Sequence, residues 1–241
     1  ASYFQENGKI ERVGGTINTI LLIGADIPER TMIRAVITAT EAKTAALQEL
    51  MAQSRYSTGI ATGSGTDGIA IIADISSQNH LTDAGKHAKL GELIGRTMMK
   101  GITQALDQQS GLNVLSQRDM MVRLSRFAVT EDDLWKRSTS MEGENRKQSF
   151  ISTLRDIAPE PAMVAAVASI LHIHDEIGWE LIPAPAGTEA SVKILASIPS
   201  IVGFVSNDEL IQHLKREESV LENLLQTIAW IVKKKGLDEL R

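Results

Sequence analysis

The sequence predicts an α+β fold, with a helix-covered sheet in the first part and a mostly helical second part. Short apolar runs alternate with helical patterns up to about residue 111, an order typical of helices packed on a sheet. Of the 18 glycines, 13 lie at or before Gly111, and helical periodicity dominates after it. The turn signal Ser110-Gly111-Leu112-Asn113 predicts two domains, residues 1–112 and 113–241.

Two strands and two helices are predicted in the first part. The run 17–23 is apolar, rich in β-branched residues and bounded by glycines, which indicates a buried strand. Residues 68–75 predict a second strand. A helix is expected from Pro28 onward, because apolar residues recur three or four positions apart, and another at 84–106 with Asp83 as its N-cap. The polar segment 1–8 carries no helix or strand signal.

The second part is predicted to contain five helices, at 116–126, 131–137, 146–157, 161–181 and 207–235. The last has leucines and isoleucines at helical spacing and ends in three lysines. Cations are favoured at the C-terminal end of a helix, so this helix is expected to stop before Gly236.

Composition excludes several functional classes. The net charge is −5, so the basic surface that nucleic-acid binding requires is missing. No cysteine is present, which excludes disulfides, thiolate metal sites and a cysteine nucleophile. No apolar run reaches the roughly 20 residues of a membrane span, and no secretory signal pattern is found. We therefore predict a cytoplasmic protein without nucleic-acid or membrane partners.

The densest cluster of glycines and hydroxyls is Thr62-Gly63-Ser64-Gly65-Thr66-Asp67-Gly68. It precedes a predicted strand, whereas a dinucleotide fingerprint or P-loop joins a strand to a helix, and the P-loop lysine is missing. Backbone N–H groups in such a loop bind an anion or oxyanion at close range, and Ser64, Thr66 and Asp67 add polar groups. The alternative is an ordinary turn that leads into the strand.

Residues 38–46 are unusual for a helix interior because three threonines lie among small residues. Glu41 and Lys43 are two positions apart and so point in different directions on a helix. Beside small residues, a carboxylate or an amine can approach a bulky ligand; the alternative is that one of them is simply solvated.

His87 is the third candidate, at the start of the second predicted helix. Positions 87, 91 and 95 share one helix face, so the imidazole is followed there by Gly91 and Gly95. His87 is a candidate general acid or base. The alternative is a histidine bonded to a carbonyl, with both glycines serving helix packing.

Two further combinations of residues give only weak signals of a metal site and of a catalytic triad. His172 and His174 point about 200° apart on a helix, whereas helical zinc sites use i, i+4 spacing, so no metal site is predicted. A triad of Ser64, His87 and Asp67 lacks the context of a nucleophile elbow.

Four segments, 15–20, 36–47, 61–67 and 85–95, occur together in an order that resembles the CbiZ family of adenosylcobinamide amidohydrolases. The resemblance covers about residues 14–111. Ser64 stands where threonine is expected and Ala88 where threonine is common. The residues after this region carry no such resemblance.

The resemblance implies hydrolysis of the amide that joins aminopropanol to adenosylcobinamide. The product is adenosylcobyric acid, for cobinamide salvage in cobalamin biosynthesis. The corrinoid is the substrate, and no cofactor or metal is required.

Amide hydrolysis needs a base, a stabilised oxyanion and a protonated leaving amine, and the resembling segments contain candidates for each. We expect His87 or Glu41 to activate water, and Lys43 or His87 to assist departure of the amine. The backbone of Gly63, Ser64, Gly65 and Thr66 would stabilise the oxyanion, while Asn18, Thr38, Thr66 and Asp67 would bind the peripheral amides of the corrinoid.

The resemblance also implies a preceding segment that is absent from this sequence. We therefore expect an upstream fragment of the same protein, or a homo-oligomer, to complete the domain. Two alternatives stay open. One is a non-catalytic corrinoid-binding or sensing module, and the other is a helical interaction protein whose last helix docks a partner.

Overall fold

The computed structural model describes residues 2–6, 9–13, 15–204, 208–214 and 219–238. The chain forms two compact units, Ala1–Val114 and Leu115–Arg241. Strands and two long helices make up the first unit, and the elements described in the second are all helices. The predicted α+β class is confirmed.

The first unit begins with an antiparallel pair of strands, β1 (Ser2–Glu6) and β2 (Lys9–Val13). The expectation that segment 1–8 contains no strand is wrong for residues 2–6, while residues 1, 7 and 8 lie outside the described residues. No apolar run marks either strand. The ladder that pairs them is formed by backbone N–H and C=O groups, and the apolar runs that predicted strands at 17–23 and 68–75 have no counterpart here.

The predicted strand and helix order follows, as β3 (Asn18–Ile23), α1 (Glu29–Glu49), β4 (Gly68–Ala73) and α2 (Lys89–Ser110). β3 and β4 are parallel, and Asn18 is paired with Gly68. Parallel strands need a crossover connection, which α1 supplies. The core lies between one face of this sheet and the two helices, where Leu21, Ile23 and Met98 are buried.

Helix α1 buries mainly small residues, and Leu47 near its end is the large aliphatic residue that joins them. Ala35, Ala39 and Ala46 are fully buried, whereas Ile33 and Ile37 are 66% and 45% exposed. The aliphatic spacing that predicted the helix therefore marks its buried face only near the C-terminal end, at Leu47. Alanines let α2 and the preceding loop approach the α1 backbone closely.

Helix α2 begins at Lys89 after a non-helical Ala88, so the prediction of Asp83 as its N-cap is wrong. The Asp83 carboxylate instead accepts the Gly85 N–H at 2.8 Å and shapes a loop before the helix. Gly91 is buried, and a Cβ there would collide with the Gly85 carbonyl oxygen. A glycine at 91 thus permits close contact between α2 and this loop.

Gly91→Ala is expected to lower the free energy of unfolding by about 1–3 kcal/mol, because a methyl group there forces the loop backbone to move. Gly95→Ala is the matched control. No atom lies within 4 Å of its added Cβ, so higher helix propensity should stabilise that variant by up to about 1 kcal/mol. Urea unfolding followed by circular dichroism compares the two, and equal effects would contradict the close approach.

The second unit contains seven described helices, with a 3-10 turn at Ser125–Phe127. The helices are α3 (Met120–Leu124), α4 (Glu131–Ser138), α5 (Lys147–Ile157), α6 (Pro161–Gly178), α7 (Ala184–Ile201), α8 (Asp208–His213) and α9 (Val220–Asp238). Helices α4, α5, α6 and α7 pack around α9, whose Leu224, Ile228 and Ile231 are buried at the centre of the core.

Three predictions for this unit are wrong in detail. The single helix 207–235 is interrupted, since Leu214 and Ser219 are not helical; residues 205–207 and 215–218 lie outside the described residues. Helix α9 continues past Gly236. Lys233 does not mark the end of the helix, since it is buried and donates to the carbonyls of Ser138 and Met141 at 2.7 and 2.6 Å. Helix α7 was not predicted at all.

Helix α7 was missed because its sequence starts Ala-Pro-Ala-Gly and carries Pro199 near its end. A proline in the first turn costs a helix no hydrogen bond. Gly187 allows close packing, since a Cβ there would lie 2.5 Å from the Ile177 side chain.

Within the described residues, no single helix is long and apolar enough to cross a membrane. Helices α5 and α6 pass the length and composition criteria only as a pair, and that pair is bent by 87°.

Candidate active site

Asp67, at the end of the glycine-rich loop, is the centre of a hydrogen-bonded cluster that joins three chain segments. Its carboxylate forms an ion pair with Lys43 of α1, accepts the Ser64 hydroxyl, and accepts the Ser64 backbone N–H at 3.1 Å. The backbone N–H of Ile17, just before β3, lies 3.3 Å from Asp67 Oδ1. Segments some 50 residues apart in sequence thus converge on one carboxylate.

The Lys43–Asp67 pair is largely removed from solvent, with side-chain exposures of 7% and 14%. Burial opposes ionisation of Asp67, but the hydrogen bonds from Lys43 and Ser64 outweigh it and hold the pKa of Asp67 below its ordinary value of 3.8. Gly63 lets the pair approach the loop backbone. A Cβ at position 63 would lie 2.5 Å from Asp67 Oδ2 and 3.1 Å from Lys43 Nζ.

Further contacts fix the loop next to the start of β3. The hydroxyls of Thr16 and Thr66 are hydrogen-bonded at 2.5 Å. Asn18 Oδ1 lies over Gly68, 2.8 Å from the position that a Cβ would occupy. The predicted binding residues Asn18, Ser64, Thr66 and Asp67 are therefore brought together at the N-terminal ends of the two parallel strands.

The threonines of α1 hold this helix to both neighbouring loops. Thr44 donates to the Thr62 carbonyl at 3.0 Å, which anchors the start of the glycine-rich loop. Thr38 is buried and donates to the Ala84 carbonyl at 2.9 Å, which anchors the loop before α2. The proton of the Thr38 hydroxyl is thus used in a bond to the backbone. Thr38 could contact a substrate as an acceptor while this bond is kept.

A second cluster consists of Glu41 on α1, its partner Lys86 in the loop before α2, and His87, which follows Lys86 in the chain. The Ala88 N–H donates to the Gly85 carbonyl at 2.9 Å, which closes a turn with Lys86 and His87 at its centre. Lys86 Nζ bonds the Glu41 carboxylate at 2.9 Å, and Glu41 and His87 are both exposed. Because His87 precedes α2, it does not extend the helix face of Gly91 and Gly95.

The two clusters share helix α1 but are not joined directly by the contacts recorded for residues 15–204. Lys43 and Asp67 form the inner, buried cluster, while Glu41, Lys86 and His87 form the outer, solvent-facing one. The inner cluster is suited to fixing loop geometry, and the outer one to exchanging protons with a bound ligand and water. Across the described residues, no group of three or more histidine, aspartate or glutamate side chains is placed to hold a metal ion.

Acid should weaken the contribution of Asp67 to folding. A carboxyl group whose pKa is lowered by folding stabilises the protein above its unfolded-state pKa, and this stability is lost as the pH falls through the lower folded-state pKa. The difference in unfolding free energy between the wild type and Asp67→Asn should thus be constant near neutral pH and shrink below about pH 3.8. Urea unfolding between pH 2.5 and 7 measures it, and a difference independent of pH would contradict the ion pair.

Sequence reasoning identified most of these residues but missed several of their partners. It did not pair Lys43 with Asp67, and it assigned no role in the site to Thr16, Thr44 or Lys86. One available signal was the position of Lys43 on the alanine-rich face of α1, since a lysine on a buried face requires a counter-charge.

Residues 1–114 match the family model CbiZ, described as adenosylcobinamide amidohydrolase. The predicted resemblance is confirmed over this region. The chain is 39% identical, over 101 residues, to an uncharacterized protein of Methanocaldococcus jannaschii. That alignment covers 42% of this chain and 39% of the relative, so the chain spans well under half the length of the curated relative it matches. No solved structure matches the chain.

Proposed function

We propose that this protein is an adenosylcobinamide amidohydrolase, acting on the amide to aminopropanol. One observation carries the proposal. The four segments that resemble the amidohydrolase family are dispersed over about 80 residues of sequence, and polar contacts connect them in the folded unit. Ile17 and Lys43 contact Asp67, and Lys86 contacts Glu41. A match to the family over residues 1–114 makes that shared arrangement the candidate active site.

The proposed reaction adds water to the amide carbon of the substrate. The water oxygen bonds to that carbon, the C–N bond breaks, and the nitrogen leaves as aminopropanol after it gains a proton. Adenosylcobyric acid keeps the new carboxylate. Since this chain has no cysteine, the nucleophile is water or a hydroxyl group.

In our proposal His87 or Glu41 removes the proton from water, since both side chains are exposed, Glu41 on α1 and His87 in the turn before α2. The backbone of the glycine-rich loop stabilises the oxyanion. The Ser64 N–H is directed to Asp67, which leaves Gly65 as the first candidate donor. We assign Lys43 a positioning role through Asp67 and assign the delivery of a proton to the amine to His87.

Product analysis separates this function from corrinoid binding without catalysis. The purified chain is incubated with adenosylcobinamide, and released aminopropanol and adenosylcobyric acid are quantified by mass spectrometry. The proposal predicts equal amounts of both products. Tight corrinoid binding with no product would support the sensing module instead, and neither binding nor product would contradict both functions.

A further inference from the structure

A groove of about 330 Å³ lies in the first unit between strand β3 and helix α2. Residues 16–21 form one wall, and side chains of α2 between Thr97 and Gln109 form the other. Every residue that lines the groove is uncharged. The α2 wall includes Gly101, which has no side chain, and Ala105, which has only a methyl group, so these positions take up little of the groove.

The β3 wall presents a strand edge. Ile17 and Ile23 accept hydrogen bonds from the β4 side through their carbonyls, from Gly68 N at 3.1 Å and Asp74 N at 3.0 Å. In a parallel pair alternate residues bond to the neighbouring strand. The backbone N–H and C=O groups of Asn18, Ile20 and Leu22 therefore point to the opposite edge, and β4 is the one strand neighbour of β3 among the described strands.

This edge provides a specific hydrogen-bonding pattern. The Asn18 carbonyl is an acceptor and the next outward N–H, from Ile20, is a donor. An adenine ring presents the complementary pair on one side, with its exocyclic amino group as donor and the adjacent ring nitrogen as acceptor. A flat, uncharged ring also suits a groove without charged residues, where hydrophobic walls and a few polar groups are typical of ligand sites.

The groove shares residues 16–18 with the candidate active site. Thr16, Ile17 and Asn18 line it, and the same segment reaches the glycine-rich loop through the Thr16–Thr66 bond and the Ile17–Asp67 bond. Its volume is near the lower end of the roughly 300–1,000 Å³ of ligand pockets. That is room for a nucleoside, and a corrin ring is too large for it.

We propose that this groove binds the 5′-deoxyadenosyl group of the corrinoid, with the adenine ring hydrogen-bonded to the free edge of β3. The inference rests on the proposed function and adds a reason for the substrate to be adenosylated. The corrin ring then remains outside the groove, beside the exposed loop that contains Gly65.

Binding of free 5′-deoxyadenosine, measured by titration calorimetry on the full chain, tests the groove without any need for turnover. Gly101→Leu should weaken binding at least about tenfold by filling the groove, whereas Gly101→Ala should stay within about threefold of the wild type. Both variants should fold, because no atom lies within 4 Å of an added Cβ at this position and the position is exposed. Thermal unfolding of each variant, compared with the wild type, checks that it is folded. 5′-Deoxyinosine reverses the donor and acceptor, so it should also bind at least about tenfold more weakly.

The outcomes separate this inference from the proposed function. Absence of 5′-deoxyadenosine binding, or equal binding by the wild type and a folded Gly101→Leu, would overturn the groove assignment even if adenosylcobinamide is hydrolysed. Binding that is lost in Gly101→Leu and retained in Gly101→Ala supports the assignment. If such binding occurs without any hydrolysis, the nucleoside site stands and the amidohydrolase proposal is contradicted.

Discussion

Asp67→Asn is expected to lower turnover of adenosylcobinamide by about 10²-fold or more and the free energy of unfolding by on the order of 3 kcal/mol. An asparagine has a single acceptor oxygen, so it cannot bind Lys43, Ser64 and the Ile17 N–H together as the carboxylate does. The Lys43 cation would also remain largely buried without a counter-charge. Steady-state kinetics and urea unfolding measure the two effects.

The double variant Lys43→Met/Asp67→Asn separates a stabilising role of the pair from a role in the active site. Removing both charges eliminates the uncompensated cation, and replacement of a buried pair by neutral residues is often close to neutral for stability. We expect most of the lost stability to return while turnover stays low, because the loop is still not anchored. Recovery of turnover together with stability would show that the pair serves folding alone.

His87→Ala and Glu41→Gln should each lower turnover by about 10²-fold or more if both groups take part in proton transfer. Both side chains are exposed, and Glu41 contacts the turn that contains His87 through Lys86 at 2.9 Å. Each substitution is therefore expected to leave the unfolding free energy almost unchanged. Kinetics with adenosylcobinamide provide the measurement, with circular dichroism to verify folding.

Lys86→Met is the matched control for these two variants, since it removes the partner of Glu41 and keeps both proposed proton-transfer groups. An exposed ion pair contributes at most about 1 kcal/mol, so turnover should fall by less than about tenfold. Added imidazole should restore part of the activity of His87→Ala if the ring acts on the substrate. Near-normal turnover in both His87→Ala and Glu41→Gln would contradict the assignment.

Sequence periodicity predicted the order β3, α1, β4 and α2 because each of these elements carries an apolar pattern, whereas it did not predict β1 and β2. It did not predict which face of α1 is buried. The buried face is determined by the close approach of α2 and its preceding loop. This approach leaves room for Ala39 at the contact, whereas the larger Ile37 stays exposed. Such an approach is a property of the tertiary structure and leaves no periodic signal.

The residues of the candidate site were predictable by type, while their connections were not. The glycines and hydroxyl side chains of residues 62–68 indicated a ligand-binding loop. In α1, a lysine and threonines among alanines indicated a functional segment. The pairing of Lys43 with Asp67 spans 24 positions in sequence, and its geometry depends on the absence of a Cβ at Gly63. In the second unit, the positive charge of Lys233 led to the prediction that the helix ends beside it. In the structure Lys233 is buried and donates to the carbonyls of Ser138 and Met141.

Hydrolysis in water enriched with oxygen-18 tests the central claim most directly. The wild-type chain is incubated with adenosylcobinamide, and Asp67→Asn is treated in parallel. If the protein is the proposed amidohydrolase, the wild type forms adenosylcobyric acid with one heavy oxygen in its new carboxylate, together with an equal amount of aminopropanol. Recovery of unchanged adenosylcobinamide from a folded wild-type chain that binds it would contradict the account.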